Sequence, residues 1–119
     1  MTESLHVAFH GLPPSEQARE RVRKQLAALE RHAPKILSCR VTVQADRHRR
    51  RSGNTYEVHA ELHVPGRTFS SGRHRPGDER YADLDFAIRE AFRRLKRQLD
   101  EHSARRREAR RASVGARQA

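Results

Sequence analysis

Apolar and polar positions alternate along four short stretches of the chain and recur every three or four residues along two longer ones. Leu5, Val7 and Phe9 alternate with His6, Ala8 and His10, the period of two that marks a half-buried strand. Gly11-Leu12-Pro13-Pro14 breaks it. Ser15 is then a favourable helix N-cap, and Glu16 puts an acid in the first turn, where the helix dipole prefers one. Ala18, Val22, Leu26, Leu29 and Ala33 form the stripe of an amphipathic helix. Pro34 disfavours helix at Ala33, so this helix is expected to stop near Arg31–His32. A second strand is expected where Leu37, Cys39, Val41, Val43 and Ala45 point inward, followed by a polar loop over 46–54. Tyr56, Val58, Ala60, Leu62 and Val64 give the third strand, and Pro65-Gly66 a tight turn. A short fourth strand covers about 67–71, with Phe69 its core residue, and a basic loop follows to Gly77. Asp78 or Glu79 is expected to start a long helix reaching at least residue 102, with Tyr81, Leu84, Ile88, Ala91, Phe92, Leu95 and Leu99 on its apolar stripe. Phe86 falls off that stripe and is expected to be partly exposed.

The element order is β-α-β-β-β-α. A strand–helix–strand crossover makes the first two strands parallel, and short turns make the remaining pairs antiparallel. Every strand has one apolar face and each helix one apolar stripe. The expected fold class is therefore α+β: a four-stranded mixed sheet with both helices on one face, as in double-stranded-RNA-binding domains, and the other face wet.

Composition narrows the function. In 119 residues there are 26 Lys+Arg against 15 Asp+Glu, a formal net charge of +11. The length suits one domain. With 34% hydrophobic residues and no Trp, the core must be thin, and a deep enclosed active site is excluded. Cys39 is the single cysteine, which excludes an internal disulfide and a multi-Cys zinc cage; alternation makes it a buried, inert thiol. No apolar run approaches the ~18 residues of a membrane span, and the N-terminus lacks the pattern of a secretory signal. The cytoplasm is the expected location. Arg outnumbers Lys 23 to 3, and its planar fork of donors suits phosphate. Nucleic acid is thus the leading partner class, ahead of an anionic membrane or an acidic protein. The charge divides into an expected domain over 1–103, net +6, and a basic tail over 104–119, net +5, expected to be helical at its start, frayed after and partly disordered.

The ordered set of elements resembles the short ribosome hibernation-promoting factors and ribosome-associated translation inhibitors, the sigma-54 modulation family. The likeness runs over residues 4–102. It is carried by Val22-Arg23-Lys24-Gln25-Leu26 with Leu29-Glu30-Arg31, by the third strand and turn from Tyr56 to Gly66, and by Tyr81-Ala82-Asp83-Leu84-Asp85 followed by Lys96-Arg97-Gln98-Leu99. Gln25 stands where the family often has a second Lys. The resemblance implies binding to the small ribosomal subunit and its rRNA in the mRNA/tRNA channel, and inhibition of translation by occlusion with no chemical step. It further implies basic helix faces as the contact, typically in stationary phase or under stress.

On that reading, Arg23, Lys24, Arg31, Arg89, Arg93, Arg94, Lys96 and Arg97 form a cradle for rRNA phosphates. Arg49, Arg50, Arg51, Arg75, Arg105 and Arg106 are secondary contacts. The competing reading is a set of solvated helix faces with ion pairs such as Glu90 with Arg94. His59 and His63 share a strand face but stand roughly 13 Å apart, too far to ligate one zinc. No nucleophile elbow, Walker loop, H-E-x-x-H or paired-Cys motif is present. No catalysis, cofactor, metal, small-molecule substrate or membrane is therefore expected, and the free protein is expected to be monomeric. A general structured-RNA-binding module or rRNA chaperone is the main alternative, and an adaptor for an acidic protein the lesser one.

Overall fold

The computed structural model describes residues 4–32, 35–47, 54–72 and 79–118. Strand β1 (Leu5–His10) leads into helix α1 (Glu16–Glu30), then β2 (Ser38–Arg47), β3 (Asn54–Val64), β4 (Arg67–Ser70), a 3-10 turn at Glu79–Ala82 and helix α2 (Leu84–Gln118). The sheet order is β1-β2-β3-β4. β1 pairs parallel with β2, with Val7 opposite Val41, while β2–β3 and β3–β4 are antiparallel, with Val43 opposite Val58 and Leu62 opposite Phe69. The α+β class and the topology are those the periodicities imply.

Alternation explains which face is dry. Cys39, Val41, Val43, Val58, Ala60, Leu62 and Phe69 are buried under one face. α1 covers them with Ala18, Val22, Leu26 and Leu29, and α2 with Ala87, Ile88, Ala91, Phe92, Leu95 and Leu99. Leu5, Val7 and Phe9 are only half-buried, because β1 is an edge strand. The opposite face carries His6, His10, Arg40, Gln44, Glu57, His59, Glu61 and His63.

Local chemistry sets the element ends. Ser15, with extended backbone, accepts the Ala18 N–H at 3.2 Å and starts α1. Gly66, at φ 79°, is the left-handed position of a two-residue turn whose first corner is Pro65. Asp83 caps α2: its Oδ1 accepts the N–H groups of Asp85 at 3.0 Å and Phe86 at 3.4 Å. Replacing Asp83 by Ala is expected to cost about 1 kcal/mol and lower the melting temperature by roughly 4–8 °C, measured by circular dichroism.

Three expectations change. α2 starts at Leu84, not at Asp78 or Glu79, because the preceding segment is a separate 3-10 turn capped off by Asp83. The polar loop is shorter than 46–54, since the β2–β3 ladder continues to Arg47 opposite Asn54. Leu37 lies outside the sheet and is 57% exposed, because Ile36 takes the inward place against the core. α2 itself runs from Leu84 to Gln118, past residue 102 and beyond its apolar stripe. There its Ala, Arg, Glu and Gln residues favour helix even without an apolar stripe. Phe86 is half-buried, with the Arg80 and Arg89 guanidiniums 5.4 and 5.9 Å from its ring centre.

No helix among the described residues is long and apolar enough to cross a membrane. Cys39 is 1% exposed, and burial pushes its thiol up to about 12. The thiol is expected to resist alkylation in the folded protein and to react on unfolding, as followed by mass spectrometry. The unfolded thiol releases its proton near pH 8.5 and the folded one only near 12. The stability tied to this group is therefore intact below about pH 8.5 and falls as pH climbs toward 12.

Candidate nucleic-acid interface

α1 and α2 lie side by side on the sheet, with a groove of about 230 Å³ between them. Buried Leu29 and Phe92 supply its apolar floor, with Ala28 beside them. Arg89, Arg93 and Lys96 line it from α2, at the i, i+4, i+7 spacing of one helix face. Gln25 lines it from α1 and His32 from the turn that follows. Lys24 and Arg31, four residues before and three after Ala28, fall on the neighbouring side of the helix and do not line the groove.

Several of these cations are held by acids of their own helix. Arg93 donates to Glu90 twice, at 2.9 and 3.0 Å. Arg89 Nε lies 3.3 Å from Asp85, and Lys96 Nζ 2.8 Å from Asp100. Asp85 also accepts from Arg21 at 2.8 Å and so ties α1 to α2. Solvent-exposed pairs of this kind contribute roughly 0–1 kcal/mol each, so they orient the cations and yield readily to a phosphate. The Arg93 hydrogen bond holds the Glu90 carboxyl below its ordinary range. Lys24, Arg31 and Arg97 are exposed and make no hydrogen bond or ion pair among the described residues.

The structure thus gathers Arg89, Arg93 and Lys96 on one groove wall, while Lys24, Arg31 and Arg97 are exposed but not among its lining residues. Two further residues of the expected cradle stand apart. Arg23 lines a smaller recess with Leu5, Val7 and Arg19 at the β1 edge and pairs with Glu20 at 2.9 Å. Arg94 turns toward β4, where Nη1 donates to the Ser71 carbonyl at 3.4 Å. Glu90 accordingly pairs closely with Arg93, where the sequence suggested Arg94. Arg105 and Arg106 are exposed on α2. Arg49, Arg50, Arg51 and Arg75 lie outside the described residues. Charge alone overlooked Gln25 and His32, although their three- and four-residue spacing from Ala28 and Leu29 places them on the groove face.

On the open sheet face, Glu61 lies 3.9 Å from both His59 and His63. The Thr68 hydroxyl is 3.0 Å from His63 Nδ1. Among the described residues, no group of three or more His, Cys, Asp or Glu is placed to hold a metal ion.

A family model described as sigma 54 modulation protein / S30EA ribosomal protein matches residues 5–107. The chain belongs to this family. The S30EA family is non-enzymatic. Two solved structures share the S30EA-type fold seen here. A ribosomal subunit interface protein from Coxiella burnetii is 17% identical, with a TM-score of 0.67 over 84% of this chain and 97% of that one. The N-terminal domain of Protein Y from Thermus thermophilus is 19% identical, with a TM-score of 0.59 over 83% of this chain and 98% of that one. No curated protein sequence matches the chain.

Proposed function

We propose that this S30EA-family protein binds the small ribosomal subunit in the channel used by mRNA and tRNA, laying the α1–α2 groove on rRNA and inhibiting translation by occlusion. The observation that carries this reading is the groove: an apolar floor bordered on the α2 side by the row Arg89, Arg93 and Lys96 and on the other by Gln25 and His32, with no acid among its lining residues. Such a surface follows a phosphate backbone and leaves base edges unread. Family membership and the subunit-interface protein of the same fold support a ribosomal target over bulk RNA. The protein acts as a cytoplasmic monomer under this proposal, in stationary phase or stress, and Arg105 and Arg106 add affinity from the far part of α2.

Sedimentation with vacant small subunits tests it. The protein is expected to co-sediment at low salt, to persist in excess bulk RNA and to be displaced by mRNA or tRNA. Equal loss to any RNA competitor would make it a general RNA-binding module instead. Truncation after Ser103 is expected to retain site-specific binding and to flatten the salt dependence, since each lost phosphate contact lowers the log–log slope by about 0.7–0.9.

A further inference from the structure

Beyond His32 the trough between the helices opens into a second cleft of about 360 Å³. Val64 and Pro65 from the β3–β4 turn and Leu99 from α2 give it an apolar wall. Lys35 and Arg106 line it from opposite sides of the chain fold, with Ser103 and His102 between them in sequence from α2. No acid lines it. In the first groove, Asp85, Glu90 and Asp100 hold the cations of α2. Here Lys35 and Arg106 make no hydrogen bond or ion pair among the described residues.

His102 is set as a donor. Arg67 Nη1 lies 3.4 Å from its Nδ1, and a guanidinium can only donate, so Nδ1 accepts and the proton of the neutral ring sits on Nε2. Phe69 packs against the same imidazole edge-on, with centroids 5.5 Å apart, and Arg67 stacks on Phe69 at 4.9 Å. The ring is therefore fixed by two neighbours before any ligand arrives.

We propose that this cleft is a nucleotide-binding site. Lys35 and Arg106 take the phosphate, helped by the Ser103 hydroxyl and the His102 N–H, and the base lies on Val64, Pro65 and Leu99. A bare phosphate would use the cations and leave the apolar wall wet. The volume falls in the range of roughly 300–1,000 Å³ typical of small organic ligands. The nucleotide is either a free mononucleotide or an unstacked residue of an RNA strand. Leu99 is seven residues from Phe92, about 10 Å along α2, so a strand in the first groove could reach the cleft within a few nucleotides.

The test is a ¹⁵N-resolved NMR titration of the full chain with AMP, adenosine, inorganic phosphate and a six-residue oligoadenylate. Saturable shifts centred on Lys35, Val64, Leu99 and Ser103 are expected with AMP, the oligonucleotide or both. Adenosine and phosphate should bind at least tenfold more weakly. AMP binding as well as the oligonucleotide would identify a free-nucleotide site; response to the oligonucleotide alone would identify a strand site. Lys35→Glu with Arg106→Glu, both solvent-exposed, should weaken binding at least tenfold with the folded spectrum retained. No response at these residues, phosphate binding as tightly as AMP, or unchanged affinity in the double variant would each overturn the proposal. The titration contains no ribosome, so its outcome is independent of the ribosomal reading.

Discussion

Arg93→Glu combined with Arg97→Glu is expected to weaken binding to small ribosomal subunits about a hundredfold or more while the domain stays folded. Both side chains are exposed, and neither packs in the core. Arg93 lines the groove, and Arg97 is one helical turn further on and unpaired among the described residues. Hydrogen bonds to charged groups contribute about 1.5–3 kcal/mol each, so two lost contacts account for the factor, and repulsion from phosphate adds to it. The stability cost is a few tenths of a kcal/mol, from exchanging the Arg93–Glu90 pair for like charges three residues apart. Filter binding to purified subunits, with circular dichroism for folding, measures both. Wild-type affinity in the variant would move the interface off this groove.

The same pair supplies a pH signature. The Glu90 carboxyl is depressed by Arg93, so its contribution to stability is present above the unfolded carboxyl value near 4.3 and is lost as pH falls through the lower folded value. Because the pair is solvent-screened, the expected effect is small.

Phe69→Ala is expected to destabilise the fold by about 3–5 kcal/mol, the cost of losing a buried phenyl ring and leaving a cavity. Phe69 is 1% exposed and is the buried residue of a four-residue edge strand. It also packs against His102 and Arg67, so its loss loosens β4 and the middle of α2 together. Against a total stability of roughly 5–15 kcal/mol, this is a large share. The melting temperature should fall by at least about 12 °C, with Phe69→Leu falling less than half as far. A drop under about 5 °C in Phe69→Ala would mean that β4 is held by its ladder alone.

The sheet and both helices were legible in the sequence because each has one dry and one wet face. Val41, Val43, Leu62 and Phe69 announce the strands by alternation, and Val22, Leu26, Ile88 and Leu95 the helices by spacing. Junctions were less legible. Whether Ile36 or Leu37 turns inward depends on how the chain returns from α1 to the sheet. The start of α2 depends on a short side chain, Asp83, meeting two backbone N–H groups. The last fifteen residues of α2 lack an apolar stripe, so only helix propensity speaks for them.

For the candidate site, sequence identified the charges but not their company. Arg93 and Arg94 read alike as adjacent basic residues, yet one lines the groove and the other donates to a carbonyl near β4. Lys35, His32 and His102 carry little signal in one dimension. The turn after α1 and the β3–β4 corner bring them to one cleft.

The unbroken length of α2 also affects how the molecule travels. Its Cα radius of gyration is 17.3 Å, where a compact chain of this size has about 13.5 Å, and its longest dimension is 66 Å. Gel filtration will therefore overstate its mass. Residues 104–119 carry a net +5, displaced toward one end of this rod. The displaced charge gives the protein a permanent dipole along its long axis. In the field of a polyanion, the resulting torque turns the arginine-rich end forward, so the molecule arrives oriented before any contact forms.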